Sequence, residues 1–218
     1  PSVATLNPFP YSYGSTAGYG CTDFAPVVAR NLTQNGSYPQ SADELLAGIN
    51  AQAGDELYVR IYIHNGAQQG LDPAVTTARN VNAYITVDGT AEPYHIIGGT
   101  LSSDNTNSVA GSIGIRTGAS DRLEVVPGSG EIFDYQANLI GGASVGGEAF
   151  TVNLGDMNAC FEFSKFIRFK VRVVGQLNPV GNPQGNISAN LGDKIYGQCM
   201  YNGNVSWQTQ GFDTAVVK

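Results

Sequence analysis

Residues 54–67, "GDELYVRIYIHNGA", decide the fold. Leu57, Val59, Ile61 and Ile63 alternate with Tyr58, Arg60, Tyr62 and His64. Successive strand side chains point to opposite faces, so this period of two predicts a strand with one apolar face and one polar, aromatic face. "HNGA" then stops the pattern with an Asn-Gly turn signal. His64 stands where the strand leaves the core, and the first question is whether it does chemistry there. Its neighbours of like parity, Tyr62, Arg60 and Tyr58, point away from the apolar stripe.

The same period recurs at 79–87, where Val81, Ala83, Ile85 and Val87 alternate with Asn82, Tyr84 and Thr86. A first strand is expected within 24–33, and shorter ones at 94–97, 111–116, 122–126, 132–135 and 148–154. Turn clusters such as "GGTLSSDNTNS" and "PGSGE" separate them. One helical turn is predicted at "SADELLAG", where Ser41 and Glu44 have capping-box spacing and Gly48 can end it. Strands at this density without intervening helices predict an all-β, antiparallel sandwich of immunoglobulin-like or jelly-roll-like type. Residues 1–23 are rich in Pro, Gly and Tyr and hold no period. They read as an extended arm lying on a surface and available as an inter-subunit strand, with the sandwich occupying 24–218.

The chain of 218 residues carries a net charge of −7 with only 13% charged residues. Phosphate backbones repel such a surface, which argues against nucleic acid as a partner. No apolar run approaches the roughly 20 residues that span a bilayer. The chain starts at Pro1 without a signal core, which reads as a removed export signal or an excised fragment. Abundant Tyr, Asn, Gly and Thr with few lysines suit a secreted or cell-surface protein. Sequons at Asn31, Asn35, Asn186 and Asn204 are candidate glycosylation sites.

Three cysteines imply one disulfide and one thiol left free or shared with another chain. Pairing Cys160 with Cys199 would close a loop of about 40 residues, on the order of 4 kcal/mol in the loop-entropy account. Cys21 would then be the spare; Cys21 with Cys199 is the alternative. The cysteines also belong to an internal echo. "NLGDMNACFEFSKFIRFKV" from Asn153 and "NLGDKIYGQCMYNGNVSWQT" from Asn190 share Asn-Leu-Gly-Asp, a Cys and an alternating strand. Two similar units would place their cysteines at equivalent strand entrances.

Catalytic patterns fail on their own requirements. His64 and His95 have no Cys or carboxylate at ligand spacing, so neither marks a metal site, and a strand-end hydrogen bond is the expected role of His64. "GASVG" around Ser144 resembles a nucleophile elbow, but no His follows residue 95 and the glycines oppose a helix. It reads as a turn. Asp72, Asp88, Asp104, Asp121, Asp156 and Asp193 fall mostly in predicted turns, where Asp bonds its own backbone. Calcium held by loop oxygens is the single cofactor they leave open, without an EF-hand motif. Lys165, Arg168, Lys170 and Arg172 concentrate base on one strand. They read either as a solvated face that discourages edge pairing or as a contact for an acidic surface of a second copy.

Gly54, Asp55, His64 and Asn65, then Ala78, Asn80 and Val81, then Gly192, Asp193, Cys199 and Tyr201 form an ordered set of blocks. In these blocks the chain resembles a poorly characterised immunoglobulin-like β-sandwich domain of bacterial cell-surface and secreted proteins. The blocks spread over residues 25–210; the doubled terminal unit departs from the pattern. The resemblance implies a non-enzymatic extracellular module used in surface display or assembly. The expected function is therefore a subunit of a self-assembling filament, pilus-like fibre, tube or layer, joined by strand addition. "PSVATL" and "FDTAVVK" are the candidate donors. The alternative is an adhesin or carbohydrate-binding module with glycan partners; a secreted hydrolase comes third.

Overall fold

A computed structural model describes residues 1–9 and 23–175, and the backbone of 198–201 and 204–207. The chain divides into two units, Pro1–Gly175 and Gln176–Lys218. The first is an all-β sandwich, as the alternating periods predict. Among the described residues the strands of its two sheets end at Val174; most of 176–218, which the expected sandwich includes, lies outside the described residues.

One sheet holds β1 (Val27–Asn31), β3 (Glu56–Ile63), β11 (Lys165–Val174), β8 (Gly130–Asp134) and β9 (Leu139–Ala143) in that spatial order, with β7 (Arg122–Val125) also paired to β11. The other runs β10 (Ala149–Met157), β4 (Ala78–Val87), β5 (Tyr94–Ser102), β6 (Val109–Arg116) and β2 (Ile49–Asn50). All pairs are antiparallel except β2 with β6. Leu57, Val59, Ile61 and Ile63 of β3 lie in one core with Val81, Ala83, Ile85 and Val87 of β4. Ile97, Leu101, Ile113 and Ile115 join them, as do Ile167, Phe169, Val171 and Val173. Each fully buried side chain of this size removes about 1.5–3 kcal/mol worth of apolar surface from water.

The short helix α1 (Ala42–Ala47) has its capping box: Glu44 N–H donates to Ser41 Oγ at 3.1 Å, and Ser41 N–H to Glu44 Oε2 at 3.1 Å. Gly48 ends it at φ 77, and a Cβ there would lie 2.6 Å from Gly114 O, so both the turn and the packing demand glycine. A second short helix, α2, covers Pro73–Thr76 behind its Asp72 cap.

The N-terminal segment differs from the expected surface arm. Ala4 and Leu6 are 5% and 1% exposed and belong to the core. Ala4 N–H donates to Val75 O at 2.9 Å, Asn7 N–H to His64 O at 2.8 Å, and Gly66 N–H to Thr5 O at 3.0 Å. Two apolar residues in alternation are too few to register as a strand, yet they suffice to fill a core edge.

The echo also resolves differently in its two copies. In the first, Asn-Leu-Gly-Asp builds a bulge in β10, with register shifts on either side of Gly155 and its φ at 69°. Cys160 lies beyond the strand, in a loop at φ 90° before the 3-10 turn Phe161–Phe163. In the second unit, β12 (Gln198–Tyr201) pairs with β13 (Asn204–Trp207), and Cys199 stands inside β12. The cysteines therefore do not occupy equivalent strand entrances. Residues 190–193 lie outside the described residues.

Candidate functional site

Pairing register brings six of the eleven basic residues, Arg30, Arg60, Arg122, Arg168, Lys170 and Arg172, to the outer face of the β3–β11 sheet. Arg60 and Arg168 stand directly opposite each other. Their guanidinium groups stack on aromatic rings: Arg60 Cζ lies 4.7 Å from the Tyr38 centroid and 5.2 Å from Phe24, and Arg168 Cζ 4.2 Å from Phe133. Arg30 Cζ lies 5.2 Å from the Tyr38 centroid. The Nε atoms of all three arginines, and the Tyr38 hydroxyl, are buried without a hydrogen-bond partner.

Electrostatics follow from this burial. Loss of water lowers the Arg60 pKa, with neighbouring Arg168 adding to the effect. Burial also raises the Tyr38 pKa, so its phenol is a neutral donor at physiological pH. The three carboxylates of this face are engaged elsewhere. Glu131 accepts the Tyr58 hydroxyl at 2.8 Å, Glu56 pairs with Lys170 at 2.8 Å, and Glu124 with Arg122 at 2.6 Å. Burial, then the bond to Glu131, pushes the Tyr58 pKa up to about 12.

The expected basic stripe thus contributes Arg168, Lys170 and Arg172 to a larger patch, and Arg30, Arg60 and Arg122 are the members that sequence reasoning missed. The signal was present in the polar parity of "YVRIY", but the partner strand was not. Lys165 has the opposite parity, and its Nζ donates to Leu154 O at 2.9 Å. Edge guarding is excluded as the role of the stripe, because β11 lies inside the sheet between β3 and the β7/β8 side.

His64 is 4% exposed and its Nδ1 is 2.7 Å from Asp23 Oδ1. Asp23 also accepts Phe9 N–H at 2.8 Å and the Tyr62 hydroxyl at 3.2 Å. Asn65 Nδ2 donates to Thr76 O and Met157 O at 2.7 and 2.9 Å, and its Oδ1 accepts Thr5 N–H at 3.2 Å. The "HN" pair therefore ties the N-terminal segment, the strand end and β10 together. His64 also lines a cavity of about 420 Å³ with Phe9, Gln69, Cys160 and Phe161. Ser144 leaves a strand and enters another, not a helix, so the elbow geometry is absent.

Among the described residues Cys160 has no disulfide partner. Cys21 and the Cys199 side chain lie outside the described residues. Asn31 is corrected as a glycosylation candidate: it is 5% exposed and its Nδ2 donates to Asp55 Oδ2 at 2.6 Å. Asn35 is exposed; Asn186 and the Asn204 side chain lie outside the described residues. Asp72 caps α2 and Asp121 accepts Gly118 N–H, so these two serve their own turns, whereas Asp156 lies in β10 and accepts the Asn80 N–H of β4 across the sheet. Asp104 accepts Asn80 Nδ2 from β4, and Asp193 is outside the described residues. Asp88, Glu92 and His95 place their ligand atoms within 4.8 Å of one another. Both ring nitrogens of His95 are already engaged, with Asp88 O at 3.2 Å and Thr117 Oγ1 at 3.0 Å. That cluster carries no calcium assignment.

Strand β9 is a second surface feature. It pairs only with β8 among the described residues and ends its sheet. Its sequence, LIGGA, has no charge and no proline, and Leu139 and Ile140 are 60% and 52% exposed. No helix among the described residues is long and apolar enough to cross a membrane. No family model, no curated protein and no solved structure matches the chain.

Proposed function

We propose that the protein is a non-enzymatic extracellular structural subunit that polymerises by strand addition, with β9 as the acceptor edge. The observation that carries this reading is β9, an uncharged end strand with exposed aliphatic side chains. A terminal strand presents a row of free N–H and C=O groups, and charge, proline or bulges normally block it. β9 has no charge and no proline; its one irregularity is the register shift that leaves Ile140 as an extra residue opposite Ile132 and Phe133, and it adds two exposed aliphatic side chains. An incoming strand gains main-chain hydrogen bonds and covers that apolar surface. "PSVATL" is the weaker donor, because Ala4 and Leu6 fill the core of their own sandwich. "FDTAVVK" is the stronger one by its alternation, and it lies outside the described residues.

Negative-stain electron microscopy of the native protein tests this reading. Fibres, tubes or sheets are expected, and Ile140→Lys should reduce them to single particles while leaving the circular dichroism spectrum unchanged. Uniform monomers from the native protein, or polymers that survive the substitution, would overturn it.

A carbohydrate-binding reading has its own observation. The outer face of the β4–β5–β6 sheet carries a hollow of about 420 Å³ lined by Tyr84, Thr86, Gly98, Thr100 and Ser112. Hydroxyls and an aromatic ring around a shallow neutral hollow suit a sugar. Saturable binding in a neutral-glycan screen by a protein that stays monomeric would favour this reading.

A further inference from the structure

We propose that Arg30, Arg60 and Arg168 form a binding site for an oxyanion, a carboxylate, sulfate or phosphate group. The inference goes beyond polymerisation at β9 and does not depend on it. It starts from an unfavourable arrangement. Like charges directly opposite each other on neighbouring strands destabilise a sheet, and Arg60 faces Arg168 in register. The usual remedy is a carboxylate between them. Glu131 is in register with Arg168 but accepts the Tyr58 hydroxyl at 2.8 Å instead, and Glu56 and Glu124 serve Lys170 and Arg122. Among the described residues no ion pair reaches any of the three arginines.

Burial sharpens the same point. A partly dehydrated guanidinium needs partners for its N–H groups. The Nε of each arginine is buried without one, and so is the Tyr38 hydroxyl. Four donors, from β1, the segment after it, β3 and β11, thus belong to one patch and donate to no described residue. Stacking on Tyr38, Phe24 and Phe133 compensates the charge in part and fixes the planes of the guanidinium groups. A ring engages the face of a guanidinium and not its N–H edge. That edge is the fork that matches two oxygens of a carboxylate, sulfate or phosphate. The chain as a whole carries −7, so a patch of this sign attracts anions where the rest of the surface repels them. Lys170 and Arg172 share the face but not the arrangement: Lys170 is paired with Glu56, and Arg172 is exposed.

Nuclear magnetic resonance of the arginine Nε–Hε groups on the full chain tests the assignment. The probes are citrate, sulfate and phosphate against chloride at matched ionic strength, and polygalacturonate against neutral dextran. Saturable shifts of Arg30, Arg60 and Arg168 are expected with the oxyanions and none with chloride or dextran. Arg60→Met and Arg168→Met should each weaken binding at least tenfold, while Arg172→Met, which removes the same charge from the same face, should change it less than twofold. Melting curves on each variant separate lost binding from lost fold. Saturation by polygalacturonate well below the citrate range would place the oxyanion on an acidic polysaccharide. Saturation by the small anions alone would place it on a free acid. Shifts that follow ionic strength equally for chloride, or an Arg172→Met loss as large as that of Arg60→Met, would overturn the proposal and leave the arginines as packing groups.

Discussion

The two sheets of the sandwich end on different kinds of edge. β10 closes the β4–β5–β6 sheet with two register shifts around Gly155. Asn153 Oδ1 accepts the Gly155 N–H at 3.0 Å, Asp156 Oδ1 accepts the Asn80 N–H at 2.9 Å, and Asn153 Nδ2 reaches Asn80 and Asn82. That strand is long but bent, polar and charged, which discourages a second strand from docking. β9 closes the other sheet with five uncharged residues and two exposed aliphatic side chains. β7, on the same side of β11, carries Arg122 and Glu124. Both end strands carry a register irregularity, β9 at Ile140, but protection by charged and polar side chains is a local choice, made at β10 and β7 and withheld at β9. The place where it is withheld is the place to look for association.

The largest effect should come from guarding β9. Ile140→Lys is expected to abolish polymer formation, with unfolding free energy unchanged within about 0.5 kcal/mol, because the side chain is exposed. Sedimentation and chemical denaturation read the two quantities separately. Next, Gly130→Val should detach β9 from its sheet. A Cβ at Gly130 would lie 2.3 Å from Ala143 O, a backbone atom that cannot step aside without breaking the pairing. A loss of about 2 kcal/mol is expected, with faster amide exchange across 139–143. Normal exchange there would mean that the β8–β9 pairing is less constrained than its geometry shows.

The bulge offers a smaller test on the other edge. Gly155 has φ 69°, so Gly155→Ala should cost about 1 kcal/mol and Gly155→Asn less, since Asn tolerates that conformation. Equal losses for the two would point to a cause other than backbone strain. The smallest effect concerns the turn that carries β8 into β9. Hydrogen bonds from Asn138 hold the Asp134 carboxyl below its ordinary value of 3.8. A depressed folded pKa stabilises the turn above the ordinary value, and that contribution is lost as the pH falls through the lower folded one. The Asn138 amide resonance should therefore titrate below 3.8. A midpoint at or above that value would contradict the bonding.

Legibility in the sequence followed the kind of interaction involved. The core strands were readable because alternation at 57–63 and 79–87 is a local property of a buried sheet face. The capping box at Ser41 and Glu44 was readable because both partners lie within one turn. β9 was not, since "LIGGASVGG" looks like a glycine turn and the strand exists through its pairing with β8. The arginine cluster was half visible. Arg168 stood out in a basic strand, whereas Arg30 and Arg60 joined it only through the β1–β3–β11 register. Asn31 read as an accessible sequon until Asp55 was seen to hold it inside.

Alternation and turn chemistry by themselves determined an all-β sandwich, because strand period and turn residues act over two to five neighbours. The tertiary structure alone decided which edge is open, where Ala4 and Leu6 are buried and which arginines share a patch. Those properties depend on register between strands distant in the chain, and register is set by packing the whole core at once.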